Sequence, residues 1–119
     1  MRMNGVRFLL EGTFEDRLTL ESLTAYLTGL PKTLGMTRLS EPMVVEQGDY
    51  IAGLVVIAES HIAVHELKVG LDMWAGTIDV STCKPETLDR QEVVRYSEAA
   101  IGFRVVKEFS IDWGTSPLD

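Results

Sequence analysis

The stretch IAGLVVIAESHIAVH, residues 51–65, decides the fold of this chain. It begins with an unbroken run of apolar and small residues, so we expect a strand over residues 50–58 that is buried on both faces. Side chains with reactive groups follow at once, where the strand leaves the core. They are Glu59, Ser60, His61 and His65.

Outward from this stretch, apolar patterning and turn residues predict five more strands and two helices. The first helix is expected over residues 19–30, before Pro31, and the second opens at Pro85 and runs to Gly102. The order is β-α-β-β-β-β-α-β. It predicts an α+β fold, a two-layer sandwich of a mostly antiparallel sheet with two helices on one face. The five further strands are expected over residues 5–14, 36–46, 61–67, 73–82 and 103–111.

Length and charge limit the classes of function. The 119 residues suit a single domain over residues 1–119. A net charge of -7 without a Lys/Arg cluster argues against nucleic acid and anionic membrane surfaces as partners. A small cationic or zwitterionic ligand, the charge type of an amine or amino-acid substrate, is more compatible with this charge. No apolar run has the roughly 20 residues of a membrane span, and the first residues lack a signal-peptide pattern, so we expect a cytoplasmic protein.

Metal binding and serine hydrolysis are both disfavoured by the spacing of the reactive residues. Cys83 is the only cysteine, which excludes an intramolecular disulfide and a cysteine-based zinc site within one chain. His61 and His65 would lie roughly 13 Å apart on a strand, too far to share an ion. A hydrolase nucleophile elbow has the pattern Gly-x-Ser-x-Gly, and Ser60 lacks both of these glycines. We therefore expect no metal.

A serine hydroxyl can attack the carbonyl that precedes it, here that of Glu59, and convert the peptide into an ester. Elimination would then leave Ser60 as a pyruvoyl group on a new N-terminus. Its ketone can condense with an amine substrate and act as an electron sink. A nearby histidine can move protons in the cleavage, and a cysteine can protonate a carbanion. Cys83, two residues before Pro85, is expected at a helix N-terminus, where the helix dipole favours a reactive thiol.

These residues resemble the prokaryotic-type S-adenosylmethionine decarboxylases. Members of that family carry an apolar strand ending in Glu-Ser-His, a second His soon afterwards, and later an Ile/Val-Asp-x-x-Thr-Cys segment. This chain has VVIAESHIAVH at 55–65 and IDVSTC at 78–83, and Leu9-Leu10-Glu11 is similar to the family's first strand. The resemblance follows the element order over most of the chain.

The resemblance implies a pyruvoyl-dependent carboxy-lyase of polyamine (spermidine) biosynthesis, made by self-cleavage between Glu59 and Ser60. It implies that Ser60 is the precursor of the pyruvoyl cofactor, His65 the processing histidine and Cys83 the proton donor in decarboxylation. The family fold is a sandwich that forms a homodimer or a larger homo-oligomer, with substrate sites near the interface.

The chain departs from the family pattern around the substrate. Ala52 replaces a serine eight residues before Ser60, Leu67 replaces a tryptophan that stacks on adenine, Glu46 stands near the second adenine-stacking aromatic, and Lys84 replaces glycine. Candidate substrate-binding residues are Glu11, Glu66 and Asp72 as amine-binding carboxylates and Trp74 as a substitute aromatic.

Two alternatives therefore stay open: a pyruvoyl-dependent decarboxylase of another amino acid, such as ornithine or arginine, and a non-processing member that acts as a binding protein. Ser60 and His65 would point to opposite faces of an ideal strand. Their cooperation therefore predicts a bulge or bend at residues 59–63.

Overall fold

A computed structural model describes residues 4–114 as one six-stranded sheet carrying two helices. The strands lie in the order β2-β3-β4-β5-β1-β6, and every neighbouring pair is antiparallel. The predicted α+β sandwich is confirmed. The strands are β1 (Asn4–Phe14), β2 (Met43–Gln47), β3 (Tyr50–Ile57), β4 (Ser60–Gly70), β5 (Met73–Thr82) and β6 (Phe103–Gly114), and the helices are α1 (Leu20–Thr33) and α2 (Arg90–Ile101).

The core lies between the helices and one face of the sheet, hereafter the helix face. Alternate residues of the central strands point into it, whereas their neighbours line the opposite, outer face. The prediction that β3 is buried on both faces is wrong. Ile51, Val55 and Ile57 are buried, but Leu54 and Val56 are exposed, because both helices of residues 4–114 pack on the other face.

Helix α1 begins where the sequence predicts but ends later. The Thr19 hydroxyl accepts a hydrogen bond from the Ser22 backbone N–H, and the Ser22 hydroxyl accepts one from the Thr19 N–H. This capping box satisfies donors that have no partner inside the helix. The helix continues through Pro31 to Thr33, and buried Leu23, Leu27 and Leu30 hold it on the sheet.

The predicted strand over residues 36–46 is shorter, and β2 covers only Met43–Gln47. The preceding segment makes one isolated bridge, between Arg38 and Ile57, and the hydroxyl of Ser40 accepts a hydrogen bond from the Val56 backbone N–H. The Ser40 hydroxyl thus takes the place of the backbone carbonyl that a paired strand would offer to Val56. Pro42 has no backbone N–H to donate, so regular pairing starts after the proline.

The second helix does not open at Pro85. Residues Pro85–Thr87 form a short 3-10 turn, and α2 begins at Arg90 with Asp89 as its N-cap. The Asp89 carboxylate accepts a hydrogen bond from the Glu92 backbone N–H, and Gly102 ends the helix at a positive φ of 61°. Cys83 therefore lies seven residues before the helix, outside the reach of its dipole.

Backbones approach closely at Gly76 of β5. A Cβ atom at this position would lie 1.8 Å from the carbonyl oxygen of His65. Only glycine fits there, and this close approach fixes the local packing of β4 against β5.

Neither helix among the described residues is long and apolar enough to cross a membrane.

Candidate active site

The β3–β4 hairpin presents Ser60 at the start of a strand. Ile57 pairs with Ser60, so only Ala58 and Glu59 form the turn. The register then stays unbroken, and the irregularity in β4 lies farther on, between Lys68 and Gly70. The bulge predicted at residues 59–63 is therefore wrong, because the tight turn allows pairing to begin at its first flanking residues.

Cys83 meets the peptide that precedes Ser60. Thr82 pairs with Ser60 across β4 and β5, so the next residue of β5 lies beside the turn. The backbone N–H of Cys83 donates a hydrogen bond of 2.8 Å to the carbonyl oxygen of Glu59. This donor is aimed at the oxygen that would gain negative charge if the Glu59 carbonyl were attacked.

A histidine also contacts the Ser60 hydroxyl, and it is His61. Ser60 Oγ lies 3.2 Å from His61 Nδ1. His65 pairs with Ala52 and Thr77, five residues farther along the strand, or about 16 Å at the usual rise per residue. Within one chain, the structure brings together Ser60, His61 and Cys83 but leaves His65 apart.

A cluster of polar side chains lies next to His61 on the outer face. Ser81 is the cross-strand partner of His61, and its hydroxyl donates a 3.3 Å hydrogen bond to Asp79. Arg7 Nε lies 2.7 Å from the other oxygen of Asp79 and pairs with its charge. Sequence reasoning did not assign Arg7, Asp79 or Ser81 to the site. The alternation in residues 78–83 was the available signal, since it places Asp79, Ser81 and Cys83 on one face.

The side chain of Glu59 is buried, with 8% of its surface exposed. Its Oε1 has no hydrogen-bond partner among residues 4–114. A buried carboxylate oxygen without a partner is costly. The carboxyl group that precedes Ser60 is thus held in an environment unlike that of an ordinary turn residue.

Glu66 serves the fold at a distance from Ser60. Its side chain points to the helix face and is fully buried, and Oε1 accepts a 2.8 Å hydrogen bond from the Leu18 backbone N–H. Burial raises the pKa of this carboxyl, against the opposing effects of the Leu18 hydrogen bond and the charge of Arg17. Glu66 therefore anchors the β1–α1 connection and is closed to a ligand.

The other candidate substrate residues also lie away from Ser60. Glu11 sits on the outer face opposite Thr77, and Asp72 lies in the β4–β5 turn at the far end of the sheet. Trp74 is about 26 Å along β5 from Thr82. The Arg17 guanidinium lies 5.2 Å and the Lys68 ammonium 5.9 Å from the centroid of its ring. Within residues 4–114, no cluster of three or more His, Cys, Asp or Glu side chains could hold a metal ion.

Comparison with known proteins identifies the family of this chain. Residues 13–113 match the family model for S-adenosylmethionine decarboxylase. No curated protein matches the chain. Because the matched segment spans well over half of the sequence, the chain belongs to the S-adenosylmethionine decarboxylase family, and the resemblance seen in the sequence is confirmed.

Proposed function

We propose that this family member is a pyruvoyl-dependent S-adenosylmethionine decarboxylase that serves polyamine synthesis and is made by self-cleavage between Glu59 and Ser60. The observation that carries the proposal is the hydrogen bond from the Cys83 N–H to the Glu59 carbonyl, beside a serine whose hydroxyl contacts a histidine. Carbonyl, nucleophile, proton acceptor and oxyanion donor are then four parts of one acyl-transfer site.

The cleavage begins when Ser60 Oγ bonds to the carbonyl carbon of Glu59. His61 Nδ1 accepts the hydroxyl proton, and the Cys83 N–H stabilises the charge on the carbonyl oxygen. The C–N bond then breaks and the Ser60 nitrogen takes a proton, which leaves an ester. Loss of the Ser60 Cα proton then expels the main-chain carboxylate of Glu59 from Cβ and leaves dehydroalanine. This enamine tautomerises to an imine as Cβ takes up a proton, and water hydrolyses the imine and releases ammonia, which leaves the pyruvoyl group.

The pyruvoyl ketone supplies an electron sink for loss of carbon dioxide from an amino-acid substrate. The residues at this end of the sheet fit such a group. Cys83 is exposed beside the new N-terminus, where its thiol can deliver a proton to the substrate carbon. The Arg7–Asp79 pair supplies fixed charges on the outer face nearby.

His61 takes the role of proton acceptor in this proposal because it contacts Ser60. The family resemblance assigns processing to His65. Its distance along β4 means that a contribution of His65 to Ser60 would need a second chain. The outer face offers a surface for one, since it exposes a set of large apolar side chains. These are Leu54, Val56, Leu67, Phe109 and Ile111.

We propose a homodimer in which the outer faces of two sheets pack together. Packed sheets lie about 10 Å apart and interdigitate their apolar side chains. Such a dimer would bury the exposed apolar side chains listed above. It would also bring the end of each sheet that carries Ser60 and Cys83 close to the surface of the partner chain. A Leu54→Lys variant should shift the mass measured by light scattering from that of a dimer to that of one chain. The matched Leu39→Lys variant, at an exposed residue outside the sheet, should not shift it.

A different amino-acid substrate, such as ornithine or arginine, is the second candidate. It is favoured by Leu67, which stands on the outer face where the family has a stacking tryptophan, and by Glu46, which lies 3.9 Å from Arg17. Release of carbon dioxide from each amino acid by the purified protein separates the two candidates.

The deciding experiment is intact mass under denaturing conditions. The wild-type chain of 13.2 kDa should give two fragments divided between Glu59 and Ser60, the second with a pyruvoyl end, whereas Ser60→Ala should stay whole. A wild-type chain that stays whole after prolonged incubation would refute self-cleavage and favour the non-processing binding protein.

A further inference from the structure

The segment of residues 37–40, hereafter the strap, runs beside the end of β3. Regular pairing with β2 extends only to Leu54, so among residues 4–114 no regular strand neighbours the last residues of β3 on this side. The strap takes that place, and one isolated bridge joins Arg38 to Ile57. The strap therefore borders the β3–β4 turn, next to the proposed cleavage.

Both main-chain polar groups of Val56 bond to the strap. The Val56 N–H donates a 3.0 Å hydrogen bond to the Ser40 hydroxyl. The Val56 carbonyl oxygen accepts a 2.8 Å hydrogen bond from the Leu39 N–H. Two residues farther on, the Ala58 N–H donates a 2.8 Å hydrogen bond to the Thr37 carbonyl oxygen. Of these three contacts, only the one with Ser40 depends on a side chain, so a single substitution can remove it.

Val56 connects the strap to the histidine at the reactive end of the sheet. His61 is its cross-strand partner, and both side chains lie on the outer face. Directly paired side chains on one face have Cβ atoms about 5 Å apart, so the position of Val56 limits the position of the imidazole. His61 Nδ1 in turn lies 3.2 Å from Ser60 Oγ. The path from the strap to the Ser60 hydroxyl therefore runs through Val56 and His61.

We propose that Ser40 is a positioning residue for the self-cleavage, an inference that rests on the proposed function and extends it. Its hydroxyl fixes the main chain of Val56, and Val56 keeps the His61 ring beside the Ser60 hydroxyl. The Arg38 guanidinium braces the strap, because it donates a 2.8 Å hydrogen bond to the Ser40 carbonyl oxygen. Loss of the Ser40 hydroxyl would leave the Val56 N–H to water and loosen this end of β3.

The rate of self-cleavage tests the proposal. Ser40→Ala removes the acceptor and should slow the decay of intact mass about tenfold, the upper end of what one hydrogen bond contributes. Ser40→Thr keeps a hydroxyl and should restore the rate. Thr28→Ala is the matched control, since the Thr28 hydroxyl donates one hydrogen bond to the Thr24 carbonyl on α1, and this variant should cleave like the wild type. Circular dichroism and thermal melting establish that all variants are folded at the assay temperature.

A double-mutant cycle with His61→Ala separates positioning from a general loss of stability. If Ser40 acts through His61, adding Ser40→Ala to the His61→Ala chain should change its slow cleavage by less than about twofold, because the ring that Ser40 positions is gone. A slowing of equal size in both backgrounds would mean that the hydroxyl only stabilises the fold, and it would overturn the proposal. A wild-type rate in Ser40→Ala alone would overturn it as well.

Amide hydrogen exchange separates this inference from the proposed function. In a chain kept whole by Ser60→Ala, adding Ser40→Ala should speed exchange at the N–H groups of Val56 and Cys83, which bond to the strap and to the turn, but not at Leu23 of α1. Unchanged exchange at Val56 and Cys83 overturns the positioning role even if the wild-type chain cleaves. A wild-type chain that never cleaves overturns the proposed function and this role together.

Discussion

The backbone N–H of Cys83 and the carbonyl oxygen of Glu59 are joined by a hydrogen bond of 2.8 Å, although the two residues are separated by the whole of β4 and β5. The contact follows from the pairing of Ser60 with Thr82, which places the two strand ends side by side. It involves only the main chain, so the polarising donor does not depend on which side chain stands at residue 83.

His61→Ala should slow cleavage between Glu59 and Ser60 by about 100-fold, since a positioned general base typically contributes 10²–10⁴. The reason is the 3.2 Å contact between His61 Nδ1 and Ser60 Oγ. The rate is measured as the decay of intact mass after translation in vitro. His65→Ala is the matched control and should retain more of the rate. Normal cleavage in His61→Ala together with arrest in His65→Ala would reverse the assignment.

Cys83→Ala should cleave at nearly the wild-type rate but release little carbon dioxide from S-adenosylmethionine. The substitution keeps the backbone donor to Glu59 and removes the thiol that would protonate the substrate carbon. Intact mass gives the first result and trapping of labelled carbon dioxide the second. If Cys83→Ala instead stays uncleaved, the thiol itself acts in processing.

Glu66 should make the folded state less stable as the pH rises. Burial raises its folded pKa above the unfolded value, so between those two pKa values the folded chain holds more protons than the unfolded chain. The free energy of unfolding is then highest below the ordinary carboxyl pKa and falls until the pH exceeds the raised one. Each unit of pKa difference corresponds to about 1.4 kcal/mol.

Glu66→Gln should remove that decline while keeping an acceptor for the Leu18 N–H. Urea unfolding of both proteins from pH 4 to pH 8 measures the difference, and Glu11→Gln, on the outer face, controls for the loss of one charge. Parallel pH profiles for the wild type and Glu66→Gln would contradict the prediction.

Gly76→Ala should lower the free energy of unfolding by about 2 kcal/mol, within the range for forced overpacking. The added Cβ would meet the His65 carbonyl oxygen at 1.8 Å, so β4 and β5 must move apart. Chemical denaturation measures the loss. Gly70→Ala is a suitable comparison, because its nearest contact would be 3.6 Å from the Met73 Cβ atom. If the two variants have equal free energies of unfolding, β4 and β5 can move apart without a measurable loss of stability, which would contradict the prediction.

The extent of prediction from sequence can be judged from particular elements. The bounds of β5, residues 73–82, match the prediction, and the alternation of apolar and polar residues from Thr77 to Ser81 was its main support. Helix α2 begins later than Pro85 predicts, because a proline opens a 3-10 turn as readily as a helix, and the Asp89 cap marks the start of α2.

For the site, the neighbours of Ser60 and Cys83 in the sequence and the family resemblance identified these two residues as candidates, but register decides which side chains meet. A tight turn at Ala58 and Glu59 set that register, and with it the choice of His61 as the contact of Ser60.

The order of strands has a consequence for the proposed cleavage before Ser60. A cut before Ser60 would leave β1, β2 and β3 on one fragment and β4, β5 and β6 on the other, and β1 lies between β5 and β6. The fragments would be interlocked, since separating them requires breaking three antiparallel ladders at once. Neither fragment holds a contiguous half of the sheet. If the chain is cleaved there, folding would have to come before cleavage, and two pieces made separately would have to insert β1 between β5 and β6 to recover the same sheet.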